Sequence, residues 1–203
     1  MTERRTFLVR PAVETDRTAI TQLMVRSFWD DPVLMWMFPD ESVRRIKLPR
    51  FFDLLWVTIF PDGGCETTAA HESATFWNPP GKWQLPPMKL LRHSRRLIGA
   101  FGTALPRALR VLHAMDSVHP AEPHWYLNMV GTEPGLQGRG YGGAVIRSRL
   151  ATCDATGLPA FLISSKQSNI PVYRALGFAV TGEIVIPDGP TLWPMLRPPQ
   201  SVG

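Results

Sequence analysis

"HWYLNMVGTEPGLQGRGYGGAVI", residues 124–146, carries the pattern that decides the fold. "HWYLNMV" (124–130) is rich in aromatic and apolar residues and reads as a strand. A loop with glycines at 131, 135, 138 and 140 follows, and an apolar helical pattern opens near Tyr141. Backbone N–H groups at a helix start, with glycines keeping side chains away, make a positive concavity suited to phosphate. Three phosphate loops are compatible with glycines of this kind. A P-loop starting at Gly135 would need lysine where Tyr141 stands. "GRGYGG" satisfies G-x-G-x-x-G at Gly138, Gly140 and Gly143. In a dinucleotide fold, however, the strand would run straight into the first glycine, and an acidic residue would end the next strand. Here "GTEPGLQ" intervenes and "AFLISS" ends in serines. The remaining pattern is Q-x-x-G-x-G at Gln137, Gly140 and Gly142.

Working outward, "LPAFLISS" (158–165) reads as a second strand, and "NIPVYRALGF" (169–178) as a short helix capped at Asn169 and ended by Gly177. "EIVIP" and "LWPML" are late strands. Upstream, a strand runs through Val9 to Pro11, and a helix capped near Thr15 and Asp16 runs to about Phe28. A second helix starts at Asp31–Pro32 and stops at Pro39, and a third spans about 43–60. "CETTAAHESATFWNPPG" predicts two strands around a bend near His71 and Glu72. Residues 86–117 predict a helix broken near Gly102 and Pro106, with arginines at 92, 95, 96, 107 and 110. Helices and strands alternate without a doubly wound period, which fits a mixed sheet with flanking helices.

The chain has 203 residues, 44% of them hydrophobic and 19% charged, a composition of one folded domain in which the 20 prolines punctuate loops. Only Cys65 and Cys153 are available for a disulfide, which favours a reducing compartment and predicts a cytoplasmic protein. No run reaches the roughly 18 apolar residues of a membrane helix. The net charge of +5 points to an anionic ligand without choosing among nucleotide, nucleic acid and membrane.

"HWYLNMVGTEPGLQGRGYGGAVI" followed by "SNIPVYRALGF" resembles the GCN5-related N-acetyltransferases (GNAT). "FWDDPVLMWMFPD" (28–40) and "PHWYLNMVGTEP" (123–134) look most like the subgroup around puromycin N-acetyltransferase. The resemblance implies an α/β (mixed α+β) fold: a central mixed, mostly antiparallel sheet of about six to seven strands flanked by helices. It also implies a V-shaped splay between the two strands that hold the cofactor. One domain would cover 1–203, with an acceptor-site half over about 1–120, an acetyl-CoA core over about 123–180 and C-terminal strands over 181–197.

By the same resemblance, acetyl-CoA is the cofactor and CoA the product. Met129 and Val130 would contact the cofactor through their backbone, and Val130 N–H would stabilise the oxyanion. The loop residues Gln137, Gly138, Arg139, Gly140, Tyr141, Gly142 and Gly143 would hold the pyrophosphate. Tyr173 matches the general acid that protonates the departing sulfur, and Asn169 matches a cofactor contact that is equally a good helix cap. The base that deprotonates the amine stays open among Glu133, His124, Asp30, Asp31 and a water wire. Phe28, Asp30, Asp31 and Trp36 offer rings and carboxylates for a cationic, partly apolar amine, although the ring spacing also suits packing. Where the subgroup carries an acidic residue in its "LETS"-like strand, this chain has Ile163.

The expected reaction is direct attack of a primary amine on the thioester through a tetrahedral intermediate. The acceptor would be a small molecule such as an antibiotic or metabolite, with neither nucleic acid nor membrane as partner, in a monomer or homodimer. Alternatives are a non-catalytic acyl-CoA-binding or regulatory module, acetylation of a protein amine, and a protein that uses its basic helix on nucleic acid or membrane with CoA as regulator.

Overall fold

The computed structural model describes residues 7–84 and 86–201. β1 (Val9–Pro11) is followed by α1 (Arg17–Ser27), α2 (Pro32–Met37) and α3 (Glu41–Ile59). Aspartates set two of these starts. Asp31 accepts from the Val33 and Leu34 N–H groups at 3.0 and 3.1 Å, and Asp40 from Val43 N–H at 3.0 Å, which satisfies donors that a helix start leaves free. β2 (Cys65–Thr68) and β3 (Ser73–Asn78) form the expected hairpin, with His71 at φ 60° in its bend.

The basic segment divides into α4 (Pro87–Arg92), α5 (Ser94–Phe101) and α6 (Leu105–Asp116). Gly102, at φ 52°, makes the break that the sequence predicts, and a further break falls at His93. β4 (Trp125–Thr132), α7 (Tyr141–Thr156), β5 (Ala160–Ser164) and α8 (Ile170–Arg174) follow. Asn169 precedes α8, but its side chain makes no capping hydrogen bond, contrary to the cap expected of it. β6 (Ala179–Val180), β7 (Ile184–Val185) and β8 (Thr191–Arg197) end the fold.

The strands pair in the order β1-β2-β3-β4-β5-β8-β6, and β7 joins β8. The sheet therefore has seven strands along its path, as expected, with β7 added off it as an eighth. β7 falls within the expected "EIVIP" strand; the strand that the sequence did not predict is β6, two residues long and too short to leave a periodic signature. Every pairing is antiparallel except β4 with β5.

One apolar cluster packs α1, α2, α3 and α5 against one face of the sheet, with Phe52, Trp56 and Phe76 at its centre. The other packs α7 and α8 against the opposite face through Ile146, Leu150 and Phe178. Cys65 and Cys153 are buried free thiols, one in each cluster.

Arg197 ties β8 to α7 by donating to both carboxylate oxygens of Asp154 (2.7 and 2.9 Å) and to the Leu176 carbonyl (3.0 Å). The pair holds the Asp154 carboxyl below its ordinary range. Its stabilisation is therefore present above the unfolded carboxylate pKa and is lost as pH falls through the lowered folded value. Arg197→Met is expected to cost about 2 kcal/mol in urea unfolding at neutral pH, because it strands a charged acceptor in a half-buried position. A loss below about 0.5 kcal/mol, the range of ordinary surface changes, would show that the clamp adds little.

Candidate active site

The site opens where β4 parts from β5. The two strands pair only over Trp125–Leu127 and Ala160–Leu162; beyond that, β5 pairs with β8 alone. On its other side β4 pairs with β3, but the register slips so that Phe76 faces Met129 and Trp77 faces Leu127, leaving Asn128 as an extra residue. A bulge bends the strand that carries it, and here the bend falls where the gap starts. From Asn128 to Thr132, β4 has a free edge, and alternate residues turn backbone N–H and C=O groups toward the gap. This is the V-shaped splay, and Met129 and Val130 lie on it.

The glycine loop closes one mouth of the gap. Gly138 (φ 74°) and Gly140 (φ 93°) occupy the left-handed region that only glycine enters without strain, and Gly140 directly precedes α7. A Cβ on Gly142 would come 3.0 Å from Thr132 Oγ1, so α7 starts pressed against the free edge of β4. Gln137 braces the turn by donating to the Thr132 carbonyl at 3.3 Å. Gln137, Gly138, Gly140, Tyr141, Gly142 and Gly143 all line one cavity of about 1620 Å³, together with Met129, Val130, Asn169 and Tyr173.

Tyr173 and Asp31, both able to move protons, share that cavity. Tyr173 on α8 is buried, and burial, reinforced by the charge of Asp31, pushes its phenol up to about 12. It therefore carries its proton at neutral pH. Asp31 is 5% exposed and lines the same cavity. Burial raises its carboxyl above the ordinary range, opposed by a hydrogen bond from the Ser165 hydroxyl, which donates to Asp31 Oδ2. Ser165 stands two residues beyond Ile163, so a carboxylate from the N-terminal segment reaches the end of the strand that carries Ile163.

Other predicted site residues lie elsewhere. Glu133 is outside the cavity wall, its carboxylate held by Arg26 at 2.8–3.1 Å. His124 is 1% exposed at the closed end of the V, where its Nδ1 pairs with the Glu122 carbonyl at 2.8 Å. Asp30 is exposed and paired with Lys166 at 2.8 Å, which lowers its carboxyl pKa. Trp36 donates through Nε1 to the Asp188 carbonyl, and Arg139 is exposed on the loop; neither joins the cavity wall. Phe28 does line it.

The sequence reading passed over Arg147, whose guanidinium would lie 3.1 Å from a Cβ on Gly143 and which lines the cavity beside the loop. Its place one helical turn after Gly143 was a signal that could have found it.

The family model of the GNAT acetyltransferases matches residues 50–178. The chain belongs to that family. As a whole the GNAT family uses acetyl-CoA. This GNAT chain is 27% identical over 179 residues to an uncharacterised N-acetyltransferase of Schizosaccharomyces pombe, covering 80% of this chain and 70% of that one. Its fold is similar to a structure described as histone acetyltransferase HPA2 and related acetyltransferase from Corynebacterium glutamicum. There the TM-score is 0.74 and the identity 25%, over 97% of this chain and 98% of the other. The Drosophila melanogaster polyamine N-acetyltransferase, which forms N-acetylagmatine, shares the fold at TM-score 0.65 and 14% identity, over 95% of this chain and all of that one. The chain is thus an N-acetyltransferase-family enzyme with an open, mostly antiparallel sheet. Among the described residues no helix is long and apolar enough to cross a membrane.

Proposed function

We propose that this single-domain chain transfers the acetyl group of acetyl-CoA to the primary amine of a small molecule in the cytoplasm, as the puromycin-acetyltransferase-like subgroup does. The observation that carries this reading is the gap beyond Leu127 and Leu162, with the glycine loop at one mouth and Asp31 and Tyr173 on its walls. The residues suit the cofactor. Glycines at positive φ leave the loop N–H groups uncovered, and Arg147 brings a cation beside them. Acetyl-CoA supplies an activated acetyl thioester.

The remaining chemistry belongs to the chain. Val130 on the free edge is the backbone donor for charge that develops on the carbonyl oxygen. Asp31, its carboxyl raised by burial above the ordinary carboxylate range, accepts in its ionised form the proton that the ammonium must lose before it attacks. Tyr173 donates a proton toward the departing sulfur. Glu133 and His124, one held by Arg26 and the other placed at the closed end, take no part.

The reading is tested by incubating the protein with acetyl-CoA and a panel of primary amines, following thiol release and product mass. Free thiol without acetylated amine would sink it. Tyr173→Phe is expected to lower kcat about 100-fold while leaving the Kd for acetyl-CoA unchanged, because the ring stays and only the proton is lost. Unchanged kcat would make Tyr173 a packing residue.

A further inference from the structure

The cavity does not end at the gap. It continues along α5 and α6, where Ile98, Leu105, Leu109 and Leu112 line it. These side chains are 65%, 37%, 56% and 49% exposed, although a helix that meets water ordinarily turns polar residues outward. Leu105, Leu109 and Leu112 recur at intervals of four and three residues, so they form one stripe along α6. Ala108 and Val111 beside them are buried in the core. A contiguous apolar surface left open inside a cavity marks the place of a ligand.

Its position in the fold says which ligand. α5 and α6 pack in the same apolar cluster as Phe28 and α2, the helix that Asp31 caps, and Met129 and Ile163 join that cluster from the strands bordering the gap. Tyr173 belongs to the cluster on the opposite face, and Val130 packs against it. The sheet therefore divides the reaction. The sulfur departs on the side of Tyr173 and the attacking nitrogen gives up its proton on the side of Asp31, so the stripe lies on the amine's side. A second copy of this chain suits the stripe poorly. α5 and α6 carry Arg95, Arg96, Arg107 and Arg110 against the single acid Asp116, and two such faces repel each other.

Resting on the acetyltransferase reading above, we propose that the acceptor is a primary amine with an extended apolar body and no second charge. The body lies along Leu105, Leu109 and Leu112 while the nitrogen faces Asp31. Each methylene that leaves water for the stripe strengthens binding, so use of an amine rises with its apolar size. A polar body of equal length gives up its hydration there and finds only leucine side chains in return.

The test compares butylamine, hexylamine and 2-(2-aminoethoxy)ethanol, which matches hexylamine in heavy atoms but carries an ether and a hydroxyl. Acetyl transfer from acetyl-CoA is read as kcat/KM referred to the unprotonated amine, and each amine is titrated by calorimetry into the protein saturated with CoA. Hexylamine is expected to exceed butylamine about tenfold in both readouts, about threefold per methylene taken from water. The ether alcohol is expected to fall to the level of butylamine or below. Leu109→Ser combined with Leu112→Ser, at two positions already half exposed, is expected to bring the hexylamine-to-butylamine ratio close to one. If the variant does not fold, the ratios in the unaltered protein decide. Acetyl transfer to all three amines with equal kcat/KM, or a ratio that survives the double substitution, overturns the proposal and leaves the transferase reading standing. Tighter binding of hexylamine without transfer to any amine condemns the transferase reading alone. Two further outcomes overturn the proposal by giving the stripe another occupant: octanoyl-CoA used in preference to acetyl-CoA while the amines are equal, or a dimer in light scattering that the double substitution dissociates.

Discussion

Asp31→Asn is expected to lower kcat/KM about 1000-fold while changing stability by no more than about 1 kcal/mol. Asparagine caps a helix as well as aspartate does, so the bonds from Val33 and Leu34 N–H to the side chain persist. What disappears is the basic oxygen. Burial holds the Asp31 carboxyl above the ordinary carboxylate range, so folding favours its protonated form. The sign follows: the contribution of Asp31 to stability is present below the unfolded pKa and is lost as pH rises through the raised folded value. Catalysis runs the other way, since only the ionised carboxylate takes a proton. The pH profile of kcat/KM should therefore have an acid limb above the usual aspartate pKa, and that limb should vanish from the residual activity of Asp31→Asn. An unchanged acid limb in the variant would assign the base to another group.

Gly142→Val is expected to weaken acetyl-CoA binding by about 1000-fold, the loss of two charge-assisted hydrogen bonds to phosphate. Its Cβ would press on Thr132 Oγ1 at 3.0 Å and reach toward Val130 Cγ2 at 4.0 Å, filling the cleft between α7 and the free edge of β4. Thermal unfolding reads the effect directly. At about 100 times its Kd, acetyl-CoA adds about 2.7 kcal/mol to the unaltered protein, a Tm shift of about 5 °C for a chain this long. The variant at the same concentration should show no resolvable shift. Gly135→Ala, with open space around its Cβ, is the control and should shift like the parent. Affinity retained by Gly142→Val would remove the loop as the phosphate cradle.

The sequence by itself determined the pieces whose causes are local. Glycines at 138 and 140 mark a turn into a helix because only they take positive φ without strain, and the structure has both there, at 74° and 93°. Asp31 before Pro32 marks the start of α2 because a carboxylate satisfies helix donors two and three residues away. The loop was legible for that reason, while Tyr173 was legible only through the family resemblance; the two share one cavity.

The tertiary structure decided everything that depends on partners far along the chain. In the sequence the base stayed open, with Glu133 just beyond the strand and Asp31 in the expected acceptor segment. Packing gives the first to Arg26, 107 residues away, and places the second against Ser165, 134 residues away, inside the cavity. The bulge at Asn128 and the transfer of β5 to β8 open the gap, and neither leaves a periodic signal. His119 Nε2 ends buried without a partner among the described residues because a backbone carbonyl claims the other ring nitrogen and aromatic rings close around it. Backbone preferences are set by neighbours within a few residues and can be read in order. A proton's affinity, a gap between strands and the partner of a buried atom are set by the surroundings that folding assembles.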